Sequence, residues 1–141
     1  CKLKTRAAFP LHDIFVAGSK FDHLKGETLS ADAISELPLI MLEEKSNSRM
    51  YVDKYFYSLK TKLSPEIELG SHDLLLEFAS SNLGVSCVIK EFAEEFFKKE
   101  KVFELKTTFA IPERCIGVCT LEEVTTSGAT DKFLELLNIN N

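Results

Sequence analysis

Two short segments place hydroxyl and small side chains where a predicted strand gives way to a predicted helix. They are Lys45-Ser-Asn-Ser-Arg49 and Glu68-Leu-Gly-Ser-His-Asp73. In open α/β sheets, ligands collect at the carboxyl ends of the strands. The unpaired N–H groups and the dipole at a helix N-terminus favour an anion at such a position. If the two turns face a shared gap, they predict a binding site for a small carboxylate.

The serines in these turns also fit a purely structural role. Ser46 or Ser48, and likewise Ser71, stand where the N-cap residue of a helix is expected. A serine at that position accepts a hydrogen bond from a backbone N–H of the first helical turn. Capping and ligand contact are compatible, so both interpretations of these serines stay open.

No sequence pattern indicates a catalytic or metal site. The motifs G-x-S-x-G, G-x-x-x-x-G-K-[ST], G-x-G-x-x-G and H-E-x-x-H are all absent. The three histidines, His12, His23 and His72, are far apart in the sequence and show no metal-ligand spacing. Cys87 lies in an apolar run, which favours an inert core thiol. We therefore predict no catalytic residue, no bound metal and no cofactor.

The composition is that of one globular domain with a substantial core. The chain has 141 residues, 45% of them hydrophobic, and its 22 acidic and 17 basic residues give a formal net charge of −5. Because the basic residues are outnumbered and scattered, this chain by itself is not expected to bind nucleic acid. No apolar run approaches the roughly 18 residues that span a bilayer, and the start does not resemble a signal peptide.

Strand-like and helix-like segments alternate along the chain. The alternation predicts an α/β fold with mostly parallel strands, in which the block 39–89 forms a small doubly wound unit. The last helix is expected to bury Ala129, Phe133, Leu136 and Leu137. The predicted strands are 13–18, 39–42, 67–69, 85–89 and 114–120, and the predicted helices are 31–36, 50–59, 72–82, 90–99 and 127–137.

Four segments, taken in order, resemble motifs of LysR-type transcriptional regulators. The first resembles the family's "P-x-I … s-x-t/s-R" segment, and the third is similar to its "G-L-G-I-x-x-x-P" strand. The resemblance runs from about Ile14 to Leu137, with Lys90 where many members have Pro. The four segments are Pro38-Leu-Ile-Met-Leu-Glu-Glu-Lys-Ser-Asn-Ser-Arg49, Pro65-Glu-Ile-Glu-Leu-Gly-Ser-His-Asp-Leu-Leu-Leu76, Asn82-Leu-Gly-Val-Ser-Cys-Val-Ile-Lys90 and Ile116 to Leu137.

The resemblance implies an effector-binding domain with the α/β fold of the periplasmic-binding-protein type II. Such a domain has two lobes, each with a doubly wound, mostly parallel sheet, and a ligand cleft between them. Residues 29–105 would form a complete lobe II, and residues 1–28 and 106–141 an incomplete lobe I. The N-terminal helix-turn-helix domain that binds promoter DNA in this family is absent from this chain. The resemblance also implies that the protein is cytoplasmic, forms a homo-oligomer and has no membrane partner. It would contact promoter DNA only through the N-terminal domain.

Carried over to this sequence, the family's cleft implies contacts from both turns. The effector would be a small molecule, a carboxylate or an amino-acid-like metabolite, and its binding would favour one closure state of the lobes. A hinge is expected on the connection between the lobes, at Ala17, Gly18 and Ser19. The implied effector-binding residues are Ser46, Asn47, Ser48, Gly70, Ser71 and His72.

Two other functions stay open. A solute-binding protein of a transport system has the same fold and would need an export signal or a lipid anchor, for which Cys1 is a possible attachment point. A small α/β enzyme would need acid/base pairs supplied by another chain. Because the first residue is Cys1 rather than Met, we expect a piece of a longer protein. Its incomplete lobe predicts exposed strand edges and self-association.

Overall fold

The computed structural model describes residues 2–138, which form nine strands and five α-helices. Two short 3₁₀-helices, Ser19–Leu24 and Lys90–Phe92, are also present. The strands are β1 (Leu3–Leu11), β2 (Asp13–Ala17), β3 (Thr28–Leu29), β4 (Leu39–Leu42), β5 (Ile67–Leu69), β6 (Val85–Ile89), β7 (Phe103–Glu104), β8 (Lys106–Thr107) and β9 (Arg114–Leu121). The helices are α1 (Ala31–Ser35), α2 (Asn47–Ser58), α3 (His72–Ser80), α4 (Glu94–Lys98) and α5 (Gly128–Leu136).

The described residues divide into two compact units. Unit 1 combines the N-terminal segment up to Leu11 with the C-terminal segment from Glu113, and unit 2 is His12–Pro112. The units therefore divide after Leu11 and after Pro112, whereas the predicted lobes divide near residues 28 and 105. Strand β2 lies in unit 2 because it pairs with both β6 and β7. The assignment of lobes to residues stays a prediction.

Unit 2 is built on a five-stranded sheet in the order β5–β4–β6–β2–β7. Strand β4 runs parallel to β5 and β6, while β2 runs antiparallel to β6 and β7. The α/β class is confirmed, and the strands of the block 39–89 are parallel as predicted. The whole sheet is mixed, because β2 enters it at the edge where β6 ends and so runs in the opposite direction, with Asp13 opposite Ile89.

Helices cover both faces of this sheet and close two apolar clusters. Phe15 and Val16 are neighbours in β2 but belong to different clusters, since successive side chains of a strand point to opposite faces. Phe15 packs in the cluster that includes Phe56 of α2, whereas Val16 packs in the cluster that includes Ile40 and Leu75. This two-sided packing holds the strand ends, and the turns that follow them, in fixed positions.

Unit 1 consists of an antiparallel ribbon of β1 and β9, together with α5. Strand β1 was not predicted, because Leu3–Leu11 shows no clear period and contains Pro10. The predicted inner face of the last helix is wrong. Phe133 and Leu136 are exposed, and Leu134 is the buried residue of α5. A ribbon of two strands offers little core, so helical spacing alone does not determine which residues are buried.

The lengths of the helices differ from the prediction in one place and exclude a membrane-spanning helix among the described residues. The predicted helix 90–99 is interrupted at Ala93, so a 3₁₀ turn at Lys90–Phe92 precedes the short helix α4. Within residues 2–138, every helix is too short or too polar to span a lipid bilayer.

Candidate functional site

The two predicted turns lie next to each other at one edge of the sheet. Strands β4 and β5 are parallel neighbours with Leu42 opposite Leu69, so both strands end at the same level. Immediately beyond them, the backbone N–H of Glu43 donates a hydrogen bond to the carbonyl oxygen of Leu69 (3.0 Å). We call residues 43–49 and 68–73 the turn pair. Its two helix N-termini, those of α2 and α3, therefore start from one continuous edge.

The first turn is held by a helix cap. Ser46 Oγ accepts a hydrogen bond from the backbone N–H of Arg49 (3.3 Å), and the carbonyl oxygen of Ser46 accepts one from the N–H of Met50 (2.9 Å). The structural role considered for Ser46 is therefore observed. Asn47 begins α2 and is exposed, and Ser48 is half-buried in the first turn of the helix.

The second turn has a different construction. Ser71 occupies the N-cap position of α3 and is exposed, but its side chain makes no capping hydrogen bond. His72 Nε2 accepts a hydrogen bond from the backbone N–H of Ile89 (2.8 Å), which requires Nε2 to be unprotonated. The His72 ring also packs edge-on against Phe92, with ring centroids 5.4 Å apart. His72 thus joins the start of α3 to the end of β6.

Gly70 leaves the space above the second turn open. A Cβ atom at this position would meet only one atom within 4 Å, the Glu43 carboxylate oxygen Oε1 at 3.8 Å. The Glu43 side chain therefore reaches from the first turn to the second. Both the backbone and a side chain of Glu43 connect the two halves of the turn pair.

Arg49 connects α2 to the strand ends, a role that the sequence analysis does not predict. Its side chain is 4% exposed. Its Nη1 donates to the carbonyl oxygen of Leu42 (2.8 Å) and to Glu68 Oε1 (2.7 Å), while Nε lies 2.9 Å from Asp53 Oδ2. Burial acts to lower the pKa of Arg49, but the hydrogen bonds and charges of Glu68 and Asp53 outweigh it, and the pKa is raised. The cation thus links α2 to the ends of both β4 and β5.

The interior of the turn pair is nearly filled. Ser48, Arg49, His72 and Asp13 are among the residues around a cavity of about 10 Å³. Such a space holds about one water molecule. Ser48 and His72 both line this cavity, but it is too small for an effector, so a ligand that touched both turns would lie on their solvent side.

The predicted hinge residues lie within unit 2. Ala17 and Gly18 are buried, and Ser19 opens a 3₁₀-helix at the surface. A Cβ atom on Gly18 would stand 2.4 Å from Asn82 Oδ1 and 2.6 Å from the carbonyl oxygen of Ala79. Gly18 is thus required for the close approach of this segment to the end of α3. The role of Ala17–Ser19 as a hinge stays a prediction.

A second concave region in unit 2 has a volume of about 560 Å³ and contains none of the predicted site residues. We call it the large cavity; it lies where β2 begins and β7 ends. Its lining residues are His12, Asp13, Ile14, Phe15, Lys90, Glu91, Glu94, Phe97, Glu104, Leu105, Thr107, Phe109, Ala110 and Ile111. Among residues 2–138, no group of three or more His, Cys, Asp or Glu side chains is placed to hold a metal ion.

Residues 6–139 match the family described as the LysR substrate binding domain. The HTH-type transcriptional activator CmpR of Synechocystis sp. (strain ATCC 27184 / PCC 6803 / Kazusa) is 27% identical over 73 residues. That alignment covers 52% of this chain and 24% of CmpR.

Solved structures of regulators have the same fold. The regulatory domain of CcmR from Synechocystis PCC6803, in complex with 2-PG, has a TM-score of 0.83 and 20% identity. Its alignment covers 96% of this chain and 65% of the CcmR chain. The effector binding domain of QuiR, in complex with shikimate, has a TM-score of 0.77 and 14% identity. Its alignment covers 96% of this chain and 63% of the QuiR chain. This chain thus spans about two thirds of each of these structures.

The regulatory domain of CrgA from Neisseria meningitidis is a further example, with a TM-score of 0.66 and 15% identity. Its alignment covers 96% of this chain and 67% of the CrgA chain. These likenesses confirm the predicted fold class, the periplasmic-binding-protein type II-like α/β fold. With a match that extends over residues 6–139, the chain belongs to the LysR substrate-binding domain family.

Proposed function

We propose that this chain senses a small-molecule effector for a LysR-type transcriptional regulator and that the effector binds at the turn pair. The observation that carries the proposal is the hydrogen bond from Glu43 N–H to the Leu69 carbonyl, which sets two helix N-termini on one edge of the sheet. Family membership supplies the context, since the family is described by its substrate-binding domain.

The chemistry of the turn pair favours an effector with a carboxylate. The first backbone N–H groups of α2 and α3 lack carbonyl partners within their helices, and both dipoles are positive at this end. Each helix end contributes about 0.3–1 kcal/mol toward an anion. Ser71 adds a hydroxyl that no cap bond engages, and Asn47 adds an exposed amide.

Glu43 favours an effector that also carries a positive charge. Its carboxylate lies beside Gly70 and would repel a simple anion placed there. An amino-acid-like metabolite fits both features of the turn pair, because its ammonium group pairs with Glu43 while its carboxylate faces the helix N-termini. Support for the carboxylate comes from CcmR and QuiR, whose structures hold 2-PG and shikimate, both of which are carboxylates.

The regulatory output requires parts outside this chain. Effector binding favours one conformation of the domain by its differential affinity, and such coupling amounts to about 1–3 kcal/mol. A helix-turn-helix domain, assembled through a homo-oligomer, would then read that conformation at promoter DNA. We place the regulator in the cytoplasm, where promoter DNA is found.

The test is a titration of the 141-residue chain and of the full-length protein by calorimetry. The probes are 2-phosphoglycolate, shikimate and a panel of amino acids. We expect Ser71→Ala to weaken binding of the best probe about tenfold, because one hydrogen bond to a charged group is lost. Its folding stability should not change, since the Ser71 hydroxyl caps nothing.

Ser81→Ala is the matched control, because Ser81 is an exposed serine at the opposite end of α3. Ser46→Ala weakens both the cap and the site, so its affinity is compared at equal fractions of folded protein. Unchanged affinity in both Ser46→Ala and Ser71→Ala would remove the turn pair as the effector site.

A further inference from the structure

The large cavity has the size and the apolar floor of a small-molecule site. Ligand pockets occupy about 300–1,000 Å³ and are mostly apolar, with a few polar groups that orient the ligand. Here the volume is about 560 Å³. Phe15, Leu105 and Ile111 are buried in the floor, and the half-buried rings of Phe97 and Phe109 form walls. A single-ring molecule fits these dimensions.

The large cavity carries an excess of negative charge along its lining. Four carboxylates line it, and the basic groups among its lining residues are Lys90 and His12. Lys90 Nζ pairs with Glu104 Oε2 (2.9 Å), and His12 is bonded through both its backbone N–H and its Nδ1 to Glu91. The other two carboxylates are those of Asp13, which is only 7% exposed, and Glu94, which lies at the surface.

Glu94 presents the most exposed carboxylate of this set. Its side chain is 71% exposed, and the nearest cation is Lys98 Nζ at 3.9 Å, on the same helix. Lys98 lies closer to Glu95, at 3.4 Å, so its charge is shared between two acids. A cation at the mouth would therefore meet a carboxylate that is only weakly neutralised.

We propose that the large cavity binds a small organic amine, with its apolar body on the floor and its ammonium group facing Glu94. Charge complementarity selects an amine over a carboxylate, because an anion at the mouth would be repelled by the excess of acidic groups. None of the lining residues belongs to the turn pair, so this proposal does not depend on the proposed effector site.

The test uses three probes of matched shape: 2-phenylethylamine, 2-phenylethanol and phenylacetate. Saturation-transfer NMR and calorimetry on the 141-residue chain measure their binding. We expect the amine to bind, the alcohol to bind about three- to fivefold more weakly, and the carboxylate to bind least, as one exposed ion pair predicts. Equal binding of all three probes, or tightest binding of the carboxylate, would overturn the proposal.

Two variants locate the probe. Glu94→Gln should weaken the amine about threefold and leave the alcohol unchanged, whereas Glu77→Gln makes the same charge change at an exposed position of α3 outside the cavity. Ala110→Trp, at an exposed lining position, should fill the cavity and abolish binding of both probes without loss of a core side chain. Equal effects of Glu94→Gln and Glu77→Gln, or retained binding in Ala110→Trp, would contradict the assignment.

Discussion

The turn pair and the large cavity lie along the same edge of one sheet but are formed by different kinds of groups. At the turn pair, strand ends, helix N-termini and a buried arginine leave an interior of about 10 Å³. At the large cavity, side chains from β2, α4, β7 and the segment 107–111 enclose about 560 Å³. The first region is nearly filled and presents backbone groups to solvent. The second is open and depends on the size and charge of individual side chains.

This difference determines how each region responds to substitution. The turn pair contains a buried cation, Arg49, whose side chain is bonded to three other residues. The lysine at the large cavity, Lys90, is 51% exposed and pairs with Glu104. A buried charge network carries a large penalty when one member is removed, whereas an exposed pair contributes little. The two cations therefore provide a direct comparison.

The largest expected effect is that of Arg49→Met. This change leaves the Leu42 carbonyl and two carboxylates without their donor, and we expect the free energy of unfolding to drop by about 3 kcal/mol. Lys90→Met should cost less than about 1 kcal/mol, because its ion pair is exposed to solvent. Urea denaturation followed by circular dichroism measures both. Equal losses in the two variants would contradict the expected difference between a buried ion pair and an exposed one.

A finer comparison separates the two acidic partners of Arg49. Asp53 lies on the same helix as Arg49, whereas Glu68 lies on β5 and connects the two turns. We expect Glu68→Gln and Asp53→Asn each to cost about 1 kcal/mol of stability. Amide hydrogen exchange at residues 70–72 should rise in Glu68→Gln and not in Asp53→Asn. If both variants behave alike, Arg49 stabilises α2 without joining the turns.

The turn pair could be predicted from the sequence because its signals are local. Ser46 and Ser71 precede helical periods, and the strands before them are short apolar runs, so chain order alone places both at helix N-termini. The Arg49–Asp53 contact is also readable as a pair four residues apart on one helix. The contact of Arg49 with Glu68 is not readable, because it depends on β4 and β5 being neighbours in the sheet.

The large cavity could not be predicted for the same reason. Phe15, Phe97 and Phe109 are separated by long stretches of sequence, and each reads simply as a core residue. Only the antiparallel insertion of β2 between β6 and β7 brings them together, and the prediction of mostly parallel strands did not anticipate it. Predicting a side-chain cavity thus requires knowledge of the tertiary topology, whereas predicting turns at strand ends requires only the order of the strands and helices along the chain.

The smallest expected effect concerns the pH dependence of the His12–Glu91 contact at the mouth of the large cavity. Burial acts to raise the pKa of Glu91, but the hydrogen bonds from His12 prevail and lower it below the usual value of about 4.5. A lowered carboxyl pKa contributes stability above the unfolded value and loses it as the pH drops through the folded value. We expect Glu91→Gln to cost about 0.5 kcal/mol near neutral pH, an amount that shrinks toward zero below about pH 4. Urea midpoints of both proteins across this range test the sign, and a difference that grows on acidification would refute it.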